Sequence, residues 1–256
     1  MARCPDPLPA DWIFCEDFEG ADPAARFFEW DDNDGDLRVV DSEAASGTHA
    51  VEIVWQAGEV GAGGFKVRFG RNPIGSDVRD GEDFDDVYWR MRVKHEVGWE
   101  GNPDKLTRAI SFAGADWSEA MIGHLWSMGD VLGGDPASCV AGGSVECVGY
   151  NDFDHLHWLG QMPGTTPIFA TADAGQWRCV EGHVRLNTPG DADGVFEFWI
   201  DGVSESTRSD LDWRGTWTDY GINAVFFENY WNAGAPREER RWFDDVAIGT
   251  VRIGCD

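Results

Sequence analysis

The chain has 256 residues, and its 47 Asp and Glu against 20 Lys and Arg leave a formal charge of −27, a field that repels phosphate backbones and argues against a nucleic-acid partner. With 14 Trp and 15 Phe there is apolar area for a sizeable core, so the acids belong to a solvated surface and not to a disordered chain. No apolar run reaches the roughly 18 to 20 residues of a membrane span, and Met1-Ala-Arg-Cys4 lacks an apolar stretch of signal-peptide length, so an exported chain would have lost its signal already.

Period-two apolar alternation bounded by Gly, Asp, Asn and Pro predicts strands, in chain order, over Ala50–Trp55, Phe65–Phe69, Val87–Val93, Leu106–Phe112, Ala120–Trp126, Val180–Leu186, Val195–Asp201, Ala224–Trp231 and Arg241–Ile248. Asp22–Phe28 predicts one short helical turn, and 32 glycines argue against long helices. That many strands need two packed sheets. With no repeat and no linker, the reading is one all-β domain over residues 1–256, a two-sheet antiparallel jelly-roll sandwich expected to be a monomer. Residues 128–174 read as a long loop region, ordered by a Cys pair and laid over one face.

None of the six cysteines has the paired C-x-x-C spacing of zinc sites. Cys4 and Cys15 bracket a Pro-rich turn, and Cys139 and Cys147 bracket a small-residue loop, so each pair can close locally. Cys179 and Cys255 would then remain, although six cysteines permit fifteen connectivities and buried thiols in a cytosolic protein are the alternative. Disulfides imply an oxidising compartment, either secreted or periplasmic.

Alternation also assigns faces. Trp89, Met91 and Val93 point to the core and turn Tyr88, Arg90 and Arg92 outward; Met121 and Leu125 leave His124 and Trp126 on the other face; Phe226, Glu228 and Tyr230 point outward; Glu197, Trp199 and Asp201 oppose Phe196, Phe198 and Ile200. If these strands share a sheet, one exposed face gathers Arg, His, Tyr, Glu and Trp. Such a groove suits a polysaccharide, because pyranose rings stack on indoles and polar side chains bond the hydroxyls.

Several short runs then carry a family likeness: Asp17-Phe-Glu-Gly20, Ala45-Ser-Gly-Thr-His49, Trp177-Arg-Cys-Val-Glu-Gly-His183, Phe198-Trp-Ile-Asp-Gly202, Trp242-Phe-Asp-Asp-Val246 and Arg252-Ile-Gly-Cys255. In this order they resemble the polysaccharide-lyase-like branch of the concanavalin A-like jelly rolls, the glucuronan lyases and related fungal cellulose-induced secreted proteins. The likeness covers about residues 12–100 and 175–256; the middle departs from it. It implies the fold, a disulfide between Cys179 and Cys255, and a structural Ca²⁺ held by Glu19, Ser46, the main-chain oxygen of His49 and Asp244, a hard-oxygen set that suits calcium. Each of these is otherwise an ordinary surface residue in so acidic a chain.

Two functional classes compete. A lyase cleaving a uronic-acid polymer by β-elimination needs a group to neutralise the carboxylate, a base for the C5 proton and an acid for the leaving O4. Chemistry and face assignment offer Arg90 or Asn229 for the first, His124 for the second and Tyr230 for the third. Arg92, Tyr88, Trp126, His157, Trp199 and Glu228 would then hold the substrate. A non-catalytic carbohydrate-binding protein would use Trp126, Trp158, Trp199 and Trp231 as platforms. Glycoside hydrolysis ranks below both, for no Glu-x-Asp-x-x-Glu run appears. His155 and His157 share a side of an extended run but lack a clear third metal ligand.

Overall fold

In the computed structural model, which describes residues 4–255, every alternating run becomes a strand. In chain order the strands are β1 (Trp12–Glu16), β2 (Glu29–Asp31), β3 (Leu37–Val40), β4 (Ala50–Trp55), β5 (Gly61–Arg68), β6 (Asp86–His95), β7 (Lys105–Phe112), β8 (Glu119–Met128), β9 (Val131–Ser138), β10 (Val140–Ala141), β11 (Ser144–Val145), β12 (His157–Trp158), β13 (Met162–Pro163), β14 (Arg178–Arg185), β15 (Gly194–Ile200), β16 (Val203–Leu211), β17 (Ala224–Tyr230) and β18 (Glu239–Gly249). The helical turn is a short 3-10 segment at Pro23–Arg26, where proline suits the first turn because its missing N–H is not needed there.

Two large antiparallel sheets form the sandwich. Sheet A runs β16-β15-β14-β6-β18-β4-β3, with β1 also on β18; sheet B runs β12-β9-β8-β7-β17-β5-β2, with β13 also on β9. Between them lies the main core, to which sheet A gives Trp89, Met91, Val184, Phe196, Phe198 and Phe243, and sheet B gives Phe65, Val67, Met121, Leu125, Val225 and Phe227. The sheets approach closely at Gly134, where a Cβ would come 2.8 Å from the Phe196 ring.

Sheet B carries a second apolar layer on its outer face. Ile110, Phe112, Ile122, Ala137, Ala224 and Phe226 are roofed there by Leu156 and the Cys139–Cys147 bridge. The segment 139–156 therefore covers part of this face. All six cysteines are paired, Cys4 with Cys15, Cys139 with Cys147 and Cys179 with Cys255, at Cα separations of 5.5, 5.7 and 5.8 Å.

Two expectations need correction. Residues 128–174 are not all loop, since Val131–Ser138 is a full strand between β8 and the short β12 and β13. More important for function, the strands bearing the outward residues do not share a sheet: Tyr88, Arg90, Arg92 and Trp199 lie in sheet A, whereas His124, Trp126, Glu228 and Tyr230 lie in sheet B.

Candidate active site

On the outer face of sheet B, cross-strand register aligns Lys66, Phe226, Arg108, His124 and Asp135 in one row across β5, β17, β7, β8 and β9. Arg108 is the centre of this row. Its guanidinium donates to Asn151 Oδ1 at 2.9 Å, to Glu228 Oε1 at 3.0 Å and to the Tyr150 hydroxyl, and it lies 3.6 Å from Glu119 Oε1. Burial alone would lower Arg108, but Glu228, Tyr150 and Glu119 hold it above its ordinary value. Burial raises the Glu119 carboxyl in spite of Arg108. It also raises the Tyr150 phenol, so Tyr150 enters the site as a hydrogen-bonding group and not as a base.

The open part of this face is a groove made of two adjoining hollows that meet at Tyr230. One, of about 260 Å³, is lined by Asp31, Asn33, Lys66, Tyr150, Glu228 and Tyr230. The other, of about 310 Å³, is lined by Asp104, Lys105, Trp126, Phe153, Tyr230 and Asn232. Lys105 and Tyr230 are register partners on β7 and β17, with the ammonium 5.0 Å from the centre of the Tyr230 ring and 3.9 Å from Glu228. Burial pushes the Lys105 ammonium below its ordinary value, more than Glu228 restores it. Lys66 pairs with Glu29 and lies 5.1 Å from the centre of the Phe226 ring. Every groove cation thus has a carboxylate beside it.

Of the residues expected to act, Tyr230, Glu228 and Trp126 line this groove. His124 lies on the same face but is closed over: only 1% exposed, with Trp126 stacked on it at 4.4 Å between ring centres and Trp158 at 5.7 Å. Its Nδ1 is 3.2 Å from the Asp135 carbonyl oxygen, which can only accept, so Nδ1 carries the proton; Nε2 has no partner among the described residues. Burial first and Arg108 second keep the ring neutral, well below its ordinary pKa. Asn229 borders the first hollow between Glu228 and Tyr230, with its side-chain amide engaged by Gly63 O and Arg241. His157 is exposed at the sheet edge, 3.1 Å from Glu146, while His155 bonds Asp152 instead, so the two histidines do not converge.

The sheet A residues do different work. Arg90 donates to the carbonyls of Asp245 and Gly254, Arg92 to that of Cys255, and Glu181 accepts from the amides of Ile253 and Gly254. These groups fasten the C-terminal segment that Cys255 ties down. Tyr88 stacks on His183 at 3.9 Å, and Trp199 is covered by Arg252 at 4.4 Å instead of standing open. Arg90, Arg92, Tyr88 and Trp199 therefore lie on the opposite side of the sandwich from the groove.

Glu19, Ser46, His49 and Asp244 do meet at one corner. Glu19 accepts from the amides of Thr48 and His49, and Asp244 from those of Ala45 and Ser46; Ser46 Oγ donates to Asp245 at 2.9 Å. Asp244 and Asp245 are adjacent and buried, without an ion-pair partner among the described residues. No three Asp, Glu, His or Cys side chains converge among the described residues, but this set contains only two such acids and would be completed by Ser46 Oγ and the His49 carbonyl. The Asp244 carboxylate accepts backbone N–H groups but has no cation beside it among the described residues, and hard oxygens of this kind are the donors that Ca²⁺ takes.

Alternation missed Lys66, Lys105, Arg108, Tyr150 and Asn151 as parts of the site. Arg108 shares parity with Ile110 and Phe112, which read as a core face because a second apolar layer covers part of the outer face. Tyr150 and Asn151 arrive from the disulfide-bearing loop, whose path no periodicity encodes.

No protein-family model matches the sequence, and no curated protein matches it. Solved structures do. The endo-β-1,4-glucuronan lyase of the fungus Trichoderma reesei superposes with a TM-score of 0.63 at 17% identity, covering 94% of this chain and 96% of that one. What the two share is the two-sheet jelly roll. A marine alginate lyase from Aplysia kurodai has the same jelly roll, with a TM-score of 0.63 at 16% identity, over 94% of this chain and 100% of its own. A cellulose-induced protein gives 0.54 at 19% identity, over 95% of this chain and 100% of its own. At such identities the jelly roll is what is shared, and the chemistry must be argued from the groove.

Proposed function

We propose that this protein is a polysaccharide lyase that cleaves a uronic-acid polymer by β-elimination in the groove of sheet B. The observation that carries this reading is the placement of Lys66 and Lys105, two of only three lysines in a chain of charge −27, on either side of Tyr230 in one groove. Lys66 receives the uronate carboxylate in competition with Glu29, lowering the cost of removing the neighbouring proton. Burial lowers the cost of deprotonating Lys105, and the amine so formed takes the C5 proton. Electrons from that C–H bond form the C4–C5 double bond, the C4–O4 bond breaks, and the Tyr230 hydroxyl gives O4 its proton. C5–H and O4 are on adjacent carbons, so base and acid must stand side by side, as the register partners Lys105 and Tyr230 do.

The base is Lys105 and not His124 because His124 lies under Trp126. Arg108 positions Tyr150, Asn151 and Glu228 from below. The three disulfides and the neighbouring fold support an extracytoplasmic location, and the corner at Glu19, Ser46, His49 and Asp244 is proposed to hold a structural Ca²⁺ with no part in the reaction.

The test is the ultraviolet absorbance of the unsaturated uronate that only elimination produces, over a panel of uronic polymers. Lys105→Met and Tyr230→Phe should each lower the rate by about 100-fold or more, with the melting temperature retained. Absorbance unchanged in both variants would remove these roles. The pairing of every groove cation with a carboxylate favours the second reading, non-catalytic carbohydrate binding; glycan affinity without absorbance on any uronic polymer would establish it.

A further inference from the structure

Beyond Tyr230 the groove changes character. Trp126 on β8, Trp158 on β12 and Phe153 from the disulfide-bearing loop form a continuous aromatic surface, with Trp126 and Trp158 centred 5.7 Å apart at 30° and Phe153 and Trp158 6.5 Å apart at 9°. Trp158 and Phe153 are 44% and 48% exposed, which is unusual for rings so near a core that buries most others. Trp126 is fixed from beneath by its stack on His124, so the surface is pre-organised and loses little entropy on binding a flat ligand.

The charges near this surface point to what it binds. Asp104 lines the same hollow as Trp126 and Phe153, and Glu146 engages His157, the chain neighbour of Trp158. Lys105 is the cation of this hollow, and it lies at the junction with Tyr230. A uronate over the rings would meet carboxylates, whereas a neutral pyranose would offer its C–H face to the indoles at no charge cost.

We propose that Trp126, Trp158 and Phe153 form a subsite for an uncharged pyranose ring adjoining the uronate bound at Lys66 and Tyr230, so that the preferred substrate is a heteropolysaccharide in which neutral sugars neighbour uronic acids. This rests on the lyase reading for the identity of the adjoining sugar, while the stacking surface itself can be tested by binding.

The experiment compares three oligosaccharides of one linkage and length: a cello-oligosaccharide with all rings neutral, its fully C6-oxidised form with every ring a uronate, and a partly oxidised form carrying both. Calorimetry should give the partly oxidised chain about tenfold tighter binding than the fully oxidised one, a difference of about 1.4 kcal/mol. Trp158→Ala and Phe153→Ala should abolish that preference, raising KM for elimination while leaving kcat nearly unchanged. Equal affinity for the two oxidised chains, a preference that survives both substitutions, or no binding of any of the three would overturn the proposal. Elimination with no dependence on Trp158 would remove the platform and keep the lyase; Trp158-dependent binding of the neutral and mixed chains without elimination would do the reverse.

Discussion

Arg108 is wholly buried and faces Glu119 and Glu228. In a low-dielectric site such a charge persists only because its partners satisfy it, and removing it leaves two carboxylates without their cation. Arg108→Met should therefore destabilise the fold by about 3–5 kcal/mol, read from urea denaturation, and should release Tyr150 and Asn151 from their guanidinium contacts. A loss below about 1 kcal/mol would mean that the network is dispensable. The same residue marks how far sequence could reach: the outward positions of Glu228, Tyr230, His124 and Trp126 follow from local alternation, but the ion pairs of Arg108 join residues far apart in the chain. His124 shows a related difficulty, since alternation assigns its face correctly and cannot tell that Trp126 and Trp158 close over it.

Strands that alternate are legible as strands; strands serving other constraints are not. Val131–Ser138 contains Gly133-Gly134-Asp-Pro136 and reads as a turn, yet those glycines admit Met128 and Phe196, whose atoms would collide with a Cβ at Gly133 or Gly134. Val203–Leu211 is a polar edge strand of Ser, Thr and charged residues, a composition that discourages further pairing and hides it from an apolar pattern. Sheet membership was also beyond alternation, because period two says which residues share a face of one strand and not which strands are neighbours. At the same scale, residues 45–49 link the segment after β1 to β18 through Glu19 and Asp244, and a cation there would join both ends of the chain. If Ca²⁺ binds at this corner, free ion at 100 times its Kd should add about 2.7 kcal/mol, or roughly 5–10 °C in Tm for a chain of this size. Scanning calorimetry with and without a chelator measures this, and Asp244→Asn should make the two traces coincide. A chelator that leaves the wild-type Tm unchanged removes the ion.

Over the whole molecule the charge of −27 sets a condition on stability that no single contact reveals. Cations are already engaged: Arg178 lies between Asp173 and Asp201, Arg240 between Glu96 and Glu238. The excess carboxylates therefore repel one another across the surface, and compaction on folding increases that repulsion. Added salt acts in two opposing ways. It weakens exposed ion pairs, each worth only about 0–1 kcal/mol, and it screens the general repulsion, shortening its range from about 10 Å at 0.1 M to about 3 Å at 1 M. Because the repulsion runs over the entire surface while the pairs are local and individually weak, screening should win. The melting temperature should rise steadily between these salt concentrations, and by the same amount in sodium and potassium chloride, since screening depends on ionic strength and not on which monovalent ion supplies it. Arg178→Gln should sharpen the dependence by adding uncompensated charge at Asp173 and Asp201. A melting temperature that falls with salt would mean that the ion pairs, and not the repulsion, govern the stability of this surface.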